Sequence, residues 1–198
     1  MLSMNINPIR TQQFCDLYWQ RTRNAAQISQ KEINHISHQW NLSNINCYLL
    51  GSKNAVLWNA NYRDIPEIIR NTDTEFRYLR PTKEDLILWR GVAKPIDDIA
   101  YINDVFNKSM NLKKGDLIRL PGYIFADSNI KTAKEFGQIS TNSAILYKIN
   151  APAGSRIYRS GCFIFPRDSK FVCTDNITMS EKNKPYQLIS LDYIKPET

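Results

Sequence analysis

The chain has 198 residues, 42% of them hydrophobic and 11% aromatic, enough for one packed core and too much for a disordered segment. The four cysteines, at positions 15, 47, 162 and 173, show no C-x-x-C spacing, which argues against a zinc site or a disulfide-stapled fold and for free thiols in a reducing compartment. The net charge of +7 is spread evenly, with 12 basic against 8 acidic groups in residues 1–95 and 14 against 11 in the remainder, so it marks out no basic tail and no nucleic-acid groove.

In chain order, the opening "MLSMNINPIRTQQ" is polar and lacks the continuous apolar block of a secretory signal. Nowhere does an apolar run approach the roughly 18 residues that a membrane-spanning helix needs. Over residues 11–30, Phe14, Leu17, Tyr18, Ala25 and Ile28 fall largely on one face at helical spacing, and over residues 32–40 Ile33, Ile36 and Trp40 do the same. "NINCYLLGSKNAVLW" reads as two helical pieces around Gly51, and "YRDIPEIIRN" as a short amphipathic helix. Residues 1–80 are therefore expected to form a mainly helical lobe.

From residue 81 the texture changes to short strands. "LILWRGV" reads as a strand, then "DDIAYINDVFNK" as a helix with Ile99, Ile102, Val105 and Phe106 on one face. "GDLIRL" and "GYIFA" read as strands, "SNIKTAKEF" as one or two helical turns, and "SAILYKIN" as a strong strand closed by the turn "APAG". "SRIYR", "CFIFP", "KFVCT" and "YQLISLDYI" complete a run of strands. Helices first and a largely antiparallel sheet later define an α+β class in a single domain over residues 1–198.

Arg90 is the most informative residue. An arginine inside an apolar strand and followed by Gly91 has two readings: a bidentate fork for a phosphate, with backbone approaching closely, or an edge-strand side chain paired to a carboxylate. His35 and His38 share a helical face, but no third ligand stands near, so two solvated histidines are the plainer reading and no metal site is assigned. No G-x-x-x-x-G-K-[ST], G-x-G-x-x-G or H-E-x-x-H occurs, which leaves nucleotide hydrolysis, a Rossmann domain and a zincin unsupported.

The succession "DLILWRGV", "LKKGDLIRLPGYIFADS", "TAKEF", "AILYKINAPAGSRIY", "CFIFPRDSKFVCT", "YQLISLDYI" resembles the mono-ADP-ribosyltransferase family, in the branch marked by Arg, Ser-Thr-Ser and Glu-x-Glu motifs. The matching pieces are Trp89-Arg90-Gly91, Gly115-Asp116, Gly122-Tyr123, Pro152-Ala153-Gly154, Pro166-Arg167 and Lys170-Phe171, within roughly residues 48–194. The resemblance implies a split, largely antiparallel sheet with a helical subdomain packed on it and an NAD cleft, NAD being the substrate. It implies Arg90 and Gly91 at the phosphates, and Tyr123, Phe125 and Phe136 beside the nicotinamide. The pattern departs at two motifs. Ala126-Asp127-Ser128 stands where Ser-Thr-Ser is expected, and Ser160-Gly161-Cys162 where Glu-x-Glu is expected. The catalytic positions thus fall on Asp127, Ser128 and Cys162, with Asp127, Asp168 and Asp192 as acids that could replace the missing glutamate. For Asp127 a helix-capping role competes. By the same resemblance the chain is expected to be a monomeric bacterial effector or toxin acting on a protein substrate, with no membrane or nucleic-acid partner. It would be exported by a specialised secretion system or held in the cytoplasm.

Overall fold

A computed structural model describes Asn46, Leu49 and residues 65–93, 100–139, 144–160 and 162–196. The helices expected over residues 11–30 and 32–40, the pieces around Gly51, Cys15, both histidines and Ile99 lie outside the described residues.

Helix α1 (Ile65–Tyr78) extends past the short helix that "YRDIPEIIRN" predicts. Ile69, Phe76 and Leu79 are spaced to share one face, so the apolar stripe continues until Pro81. Strand β1 (Leu86–Ala93), helix α2 (Ala100–Met110), strands β2 (Leu117–Arg119) and β3 (Ile124–Ala126) and helix α3 (Ile130–Phe136) follow. Strands β4 (Ala144–Ala151), β5 (Tyr158–Ser160), β6 (Cys162–Phe165), β7 (Lys170–Glu181) and β8 (Lys184–Ile194) complete the described chain. This is the α+β class expected.

The strands form two sheets, one of five in the order β1-β4-β8-β7-β2 and one of three in the order β3-β6-β5. Every pairing is antiparallel except β4 with β8. Side chains that alternate along each strand give both sheets an apolar inner face. Leu88, Ile145, Tyr147, Ile149, Ile189, Leu191 and Phe171 from the large sheet meet Ile124, Ala126, Phe163 and Phe165 from the small one, with Phe106 of α2 joining them. Phe165 sits edge-on to Phe171 and Tyr193, at centroid distances of 5.7 and 4.9 Å. The small sheet's other face carries Tyr158, Cys162 and Ile164, which pack against Phe76 of α1 and Tyr123. Helix α3 covers one end of the large sheet's outer face through Ala133.

The β7–β8 hairpin is longer than "KFVCT" foretells. A register shift between Cys173 and Asp175 breaks the period of two, so residues after it do not continue the apolar alternation of Phe171 and Cys173. Lys182 and Asn183, with φ of 50° and 62°, close the hairpin in the left-handed conformation that a tight two-residue connection requires.

Candidate functional site

The two sheets are stitched together beside Arg90. The Trp89 N–H donates to the Asp127 carbonyl at 2.7 Å and the Asp127 N–H returns to the Trp89 carbonyl at 2.8 Å, so β1 runs alongside the end of β3. Leu88 and Val92, two residues either side of Arg90, face the inner core, and alternation puts the half-buried Arg90 on that face too. Its Nη1 donates to the carbonyl of Phe125 at 2.9 Å. A guanidinium at the seam of two sheets is a strong, directed positive charge held by backbone. β1 is the edge strand of the five-stranded sheet, and this hydrogen bond of its arginine runs to a backbone carbonyl.

Tyr147 lies directly opposite Arg90 in the β1–β4 register. Burial pushes its phenol up to about 12, while hydrogen bonding with Ser109 and the charge of Arg90 pull it down.

Gly91 has a different task from the phosphate contact expected of it. It faces the outer side of the sheet, where a Cβ would lie 1.9 Å from the Ala133 carbonyl oxygen and 2.6 Å from the Gly137 nitrogen. Gly91 is the groove in which the end of α3 sits.

The aromatics divide as well. Tyr123 is 1% exposed, stacked on Phe76 at 5.8 Å, with its hydroxyl donating to Asp73 at 2.9 Å. Its ring is spent on the core, which corrects the stacking role expected of it. Burial, with the Asp73 charge and hydrogen bond, pushes its phenol well above the usual tyrosine range. Phe125 and Phe136 are half-buried, Phe125 turned to the same side of the small sheet as Ile164 and Cys162, and Phe136 closing α3.

The acids expected to stand in for the missing glutamate are engaged elsewhere. Asp127 Oδ1 accepts from the Asn129 N–H at 2.7 Å, just ahead of Asn129, whose side chain caps α3 through the Lys131 N–H at 2.9 Å. The cap of α3 is thus Asn129, and Asp127 closes the turn ahead of it instead of capping the helix itself. Asp168 pairs with Arg119 at 3.0 Å and Arg167 at 3.4 Å, and Asp192 accepts from Asn150 at 2.7 Å. Ser128 is exposed. Cys162 is 4% exposed within the apolar cluster of Phe76, Tyr123, Tyr158 and Ile164.

Sequence reasoning missed the chain Tyr123–Asp73–Arg167, in which Arg167 Nε donates to Asp73 at 2.7 Å. Asn46 adds a clamp, accepting from the Tyr123 N–H and donating to the Tyr123 carbonyl, both at 2.7 Å. These partners are 50 or more positions apart, so no local pattern could signal them. Among the described residues, no group of three or more His, Cys, Asp or Glu is placed to hold a metal.

No family model matches the chain, and no curated protein matches it by sequence. Solved structures do match its fold. Plx2a, an ADP-ribosyltransferase toxin from Paenibacillus larvae, aligns over 98% of this chain and 100% of its own at a TM-score of 0.59 and 14% identity. The Clostridium limosum C3 exoenzyme covers 98% of both chains at 0.58 and 17% identity. Vis toxin, an ADP-ribosyltransferase from Vibrio splendidus, covers 98% of this chain and 88% of its own at 0.57 and 16% identity. The fold is that of the ADP-ribosyltransferase toxins.

Proposed function

We propose that the chain is a diverged NAD-dependent protein mono-ADP-ribosyltransferase, a monomeric bacterial effector or toxin that transfers ADP-ribose from NAD to a protein target. One observation carries this reading: Arg90, held by the Phe125 carbonyl at the seam of the two sheets, in a fold shared along nearly its whole length with ADP-ribosyltransferase toxins. A guanidinium suits the pyrophosphate of NAD because its planar fork meets phosphate oxygens two at a time. Among the described residues no helix is long and apolar enough to cross a membrane.

Cleaving the bond to nicotinamide develops positive charge on the ribose, which a carboxylate stabilises. At the corresponding strand this chain offers Cys162, a free and buried thiol in place of a carboxylate. Losing one such electrostatic group costs about 100- to 1,000-fold in rate. That substitution favours a second reading, in which the fold binds NAD or a partner protein and acts by contact, with little or no transfer.

Incubation of cell extract with biotinylated NAD tests the first reading. Labelling by wild type that disappears in Arg90→Ala supports transfer. Absence of labelling by wild type, together with stoichiometric capture of a partner that Arg90→Ala leaves intact, establishes the second.

A further inference from the structure

Every second residue of a strand turns its N–H and C=O to the same side, so Tyr123, Phe125 and Asp127 direct theirs to one edge of β3. Three partners fill that edge in a row. Asn46 takes the first place: its Oδ1 accepts from the Tyr123 N–H and its Nδ2 donates to the Tyr123 carbonyl, both at 2.7 Å. Arg90 takes the second, its Nη1 lying 2.9 Å from the Phe125 carbonyl. The Trp89 backbone takes the third, exchanging bonds of 2.7 and 2.8 Å with Asp127. Successive places are about 6.7 Å apart, two residues of strand.

The Asn46 amide stands where the peptide of a neighbouring strand would stand. It presents one acceptor and one donor in a plane, as a peptide does, whereas an ionised aspartate only accepts and glutamine is longer by a methylene. The chain leaves room for it. Gly122 has φ of 69°, and a Cβ there would lie 2.6 Å from Asn46 Oδ1. The ladder between β3 and β6 begins at Ile124, opposite Phe165, so the backbone of Tyr123 lies outside it. The Phe125 carbonyl is thus bracketed along its own edge by two gripped residues, one held by Asn46 and one by Trp89.

We propose that Asn46 is a positioning residue for Arg90. By pairing with both backbone groups of Tyr123 it fixes the β3 edge ahead of Phe125, as Trp89 fixes it behind, and so aims the carbonyl that holds the guanidinium. An arginine carries several flexible torsions, and holding them before an anion arrives lowers the entropy lost on binding. Asn46 therefore acts on affinity for an anionic ligand and leaves bond-breaking alone. The consequence for a ligand rests on the Arg90 reading, and the positioning rests on these hydrogen bonds alone.

Two measurements on the full chain separate these. The first needs no ligand. Phe125-Ala126 is the single Phe-Ala pair in the sequence, so labelling with ¹³C-carbonyl phenylalanine and ¹⁵N-alanine gives one NMR signal, that of the Phe125 carbonyl. Arg90→Ala marks where this signal moves once the guanidinium is gone, and Asn46→Ala is expected to move it toward that position. Asn46→Asp adds a pH profile. Ionised, it repels the Tyr123 carbonyl and displaces the signal; protonated, it regains a donor, and the signal returns toward that of wild type as pH falls from about 7 to about 4. A folded Asn46→Ala protein with the signal in the wild-type place overturns the proposal. So does an Asn46→Asp signal indifferent to pH, which decides the matter if Asn46→Ala fails to fold. The second measurement is NAD titration, in which Asn46→Ala is expected to weaken binding about 2- to 10-fold, the equivalent of one hydrogen bond, with any loss of activity falling on KM and not on kcat. A displaced Phe125 signal in a protein whose wild type binds no NAD would sustain the positioning and defeat the NAD reading. Equal NAD affinity in the two proteins would overturn the functional consequence.

Discussion

Alanine at position 91 would place its Cβ 1.9 Å from the Ala133 carbonyl oxygen and 2.8 Å from the Gly137 Cα. Carbon–oxygen contacts ordinarily begin near 3.3 Å, so α3 would have to retreat by roughly 1.4 Å. Both obstructing groups are backbone, which no rotamer change can clear. The retreat loosens the cluster of Ala133, Ile139, Ala144, Leu146 and Tyr186 that α3 seals against Trp89. Overpacking of this kind costs about 2–3 kcal/mol, the upper part of its usual range. In a chain of this length that lowers Tm by about 4–12 °C. Calorimetry on Gly91→Ala measures the loss directly. Gly137→Ala strains the same contact from the other side, because its Cβ would meet the Gly91 Cα at 2.8 Å. The double variant should therefore lose less than the sum of the two single losses. A Gly91→Ala protein melting within about 1 °C of wild type would refute the packing argument.

Stability is expected to fall as pH rises from about 10 to about 12: unfolded Tyr147 gives up its proton near pH 10, whereas the folded phenol keeps it to about 12, a difference on the order of 3 kcal/mol at most. Urea midpoints across that window should show the decline, and Tyr147→Phe should make it shallower; Tyr123 and Tyr193, raised by burial, supply the remainder. Asp73→Ala takes away the partner of both Arg167 and the buried Tyr123 hydroxyl. A loss of about 1–3 kcal/mol in urea unfolding is expected, and Asp73→Ala combined with Tyr123→Phe should cost less than the two losses added.

The order of elements from residue 86 onward was legible because each short strand carries apolar residues bounded by Gly, Pro or Asp turns. "CFIFP" and "SAILYKIN" needed nothing but their own composition. The long arm of β7 was not legible, since a bulge after Cys173 breaks the alternation and polar residues dominate "TDNITMSE". At the site, Arg90 stood out as a charge in an apolar run. What it touches did not, because Phe125 is 35 positions away and Tyr147 becomes its neighbour through strand register alone. Gly91 misled for a related reason: a glycine beside an arginine reads as room for a ligand, and here the room is taken by a helix end that packs from 42 positions later. Tyr123 is similar. Its aromatic character suited a nicotinamide, while its neighbours Phe76 and Asp73 come from a distant helix.

The most direct test of the Arg90 assignment is the affinity for NAD of wild type, Arg90→Lys and Arg90→Ala, measured by calorimetric titration. Wild type should bind, Arg90→Ala should weaken binding by about 10-fold or more, as loss of a charged hydrogen-bond donor does, and Arg90→Lys should fall between. No binding by wild type, or the same dissociation constant in all three proteins, would contradict it.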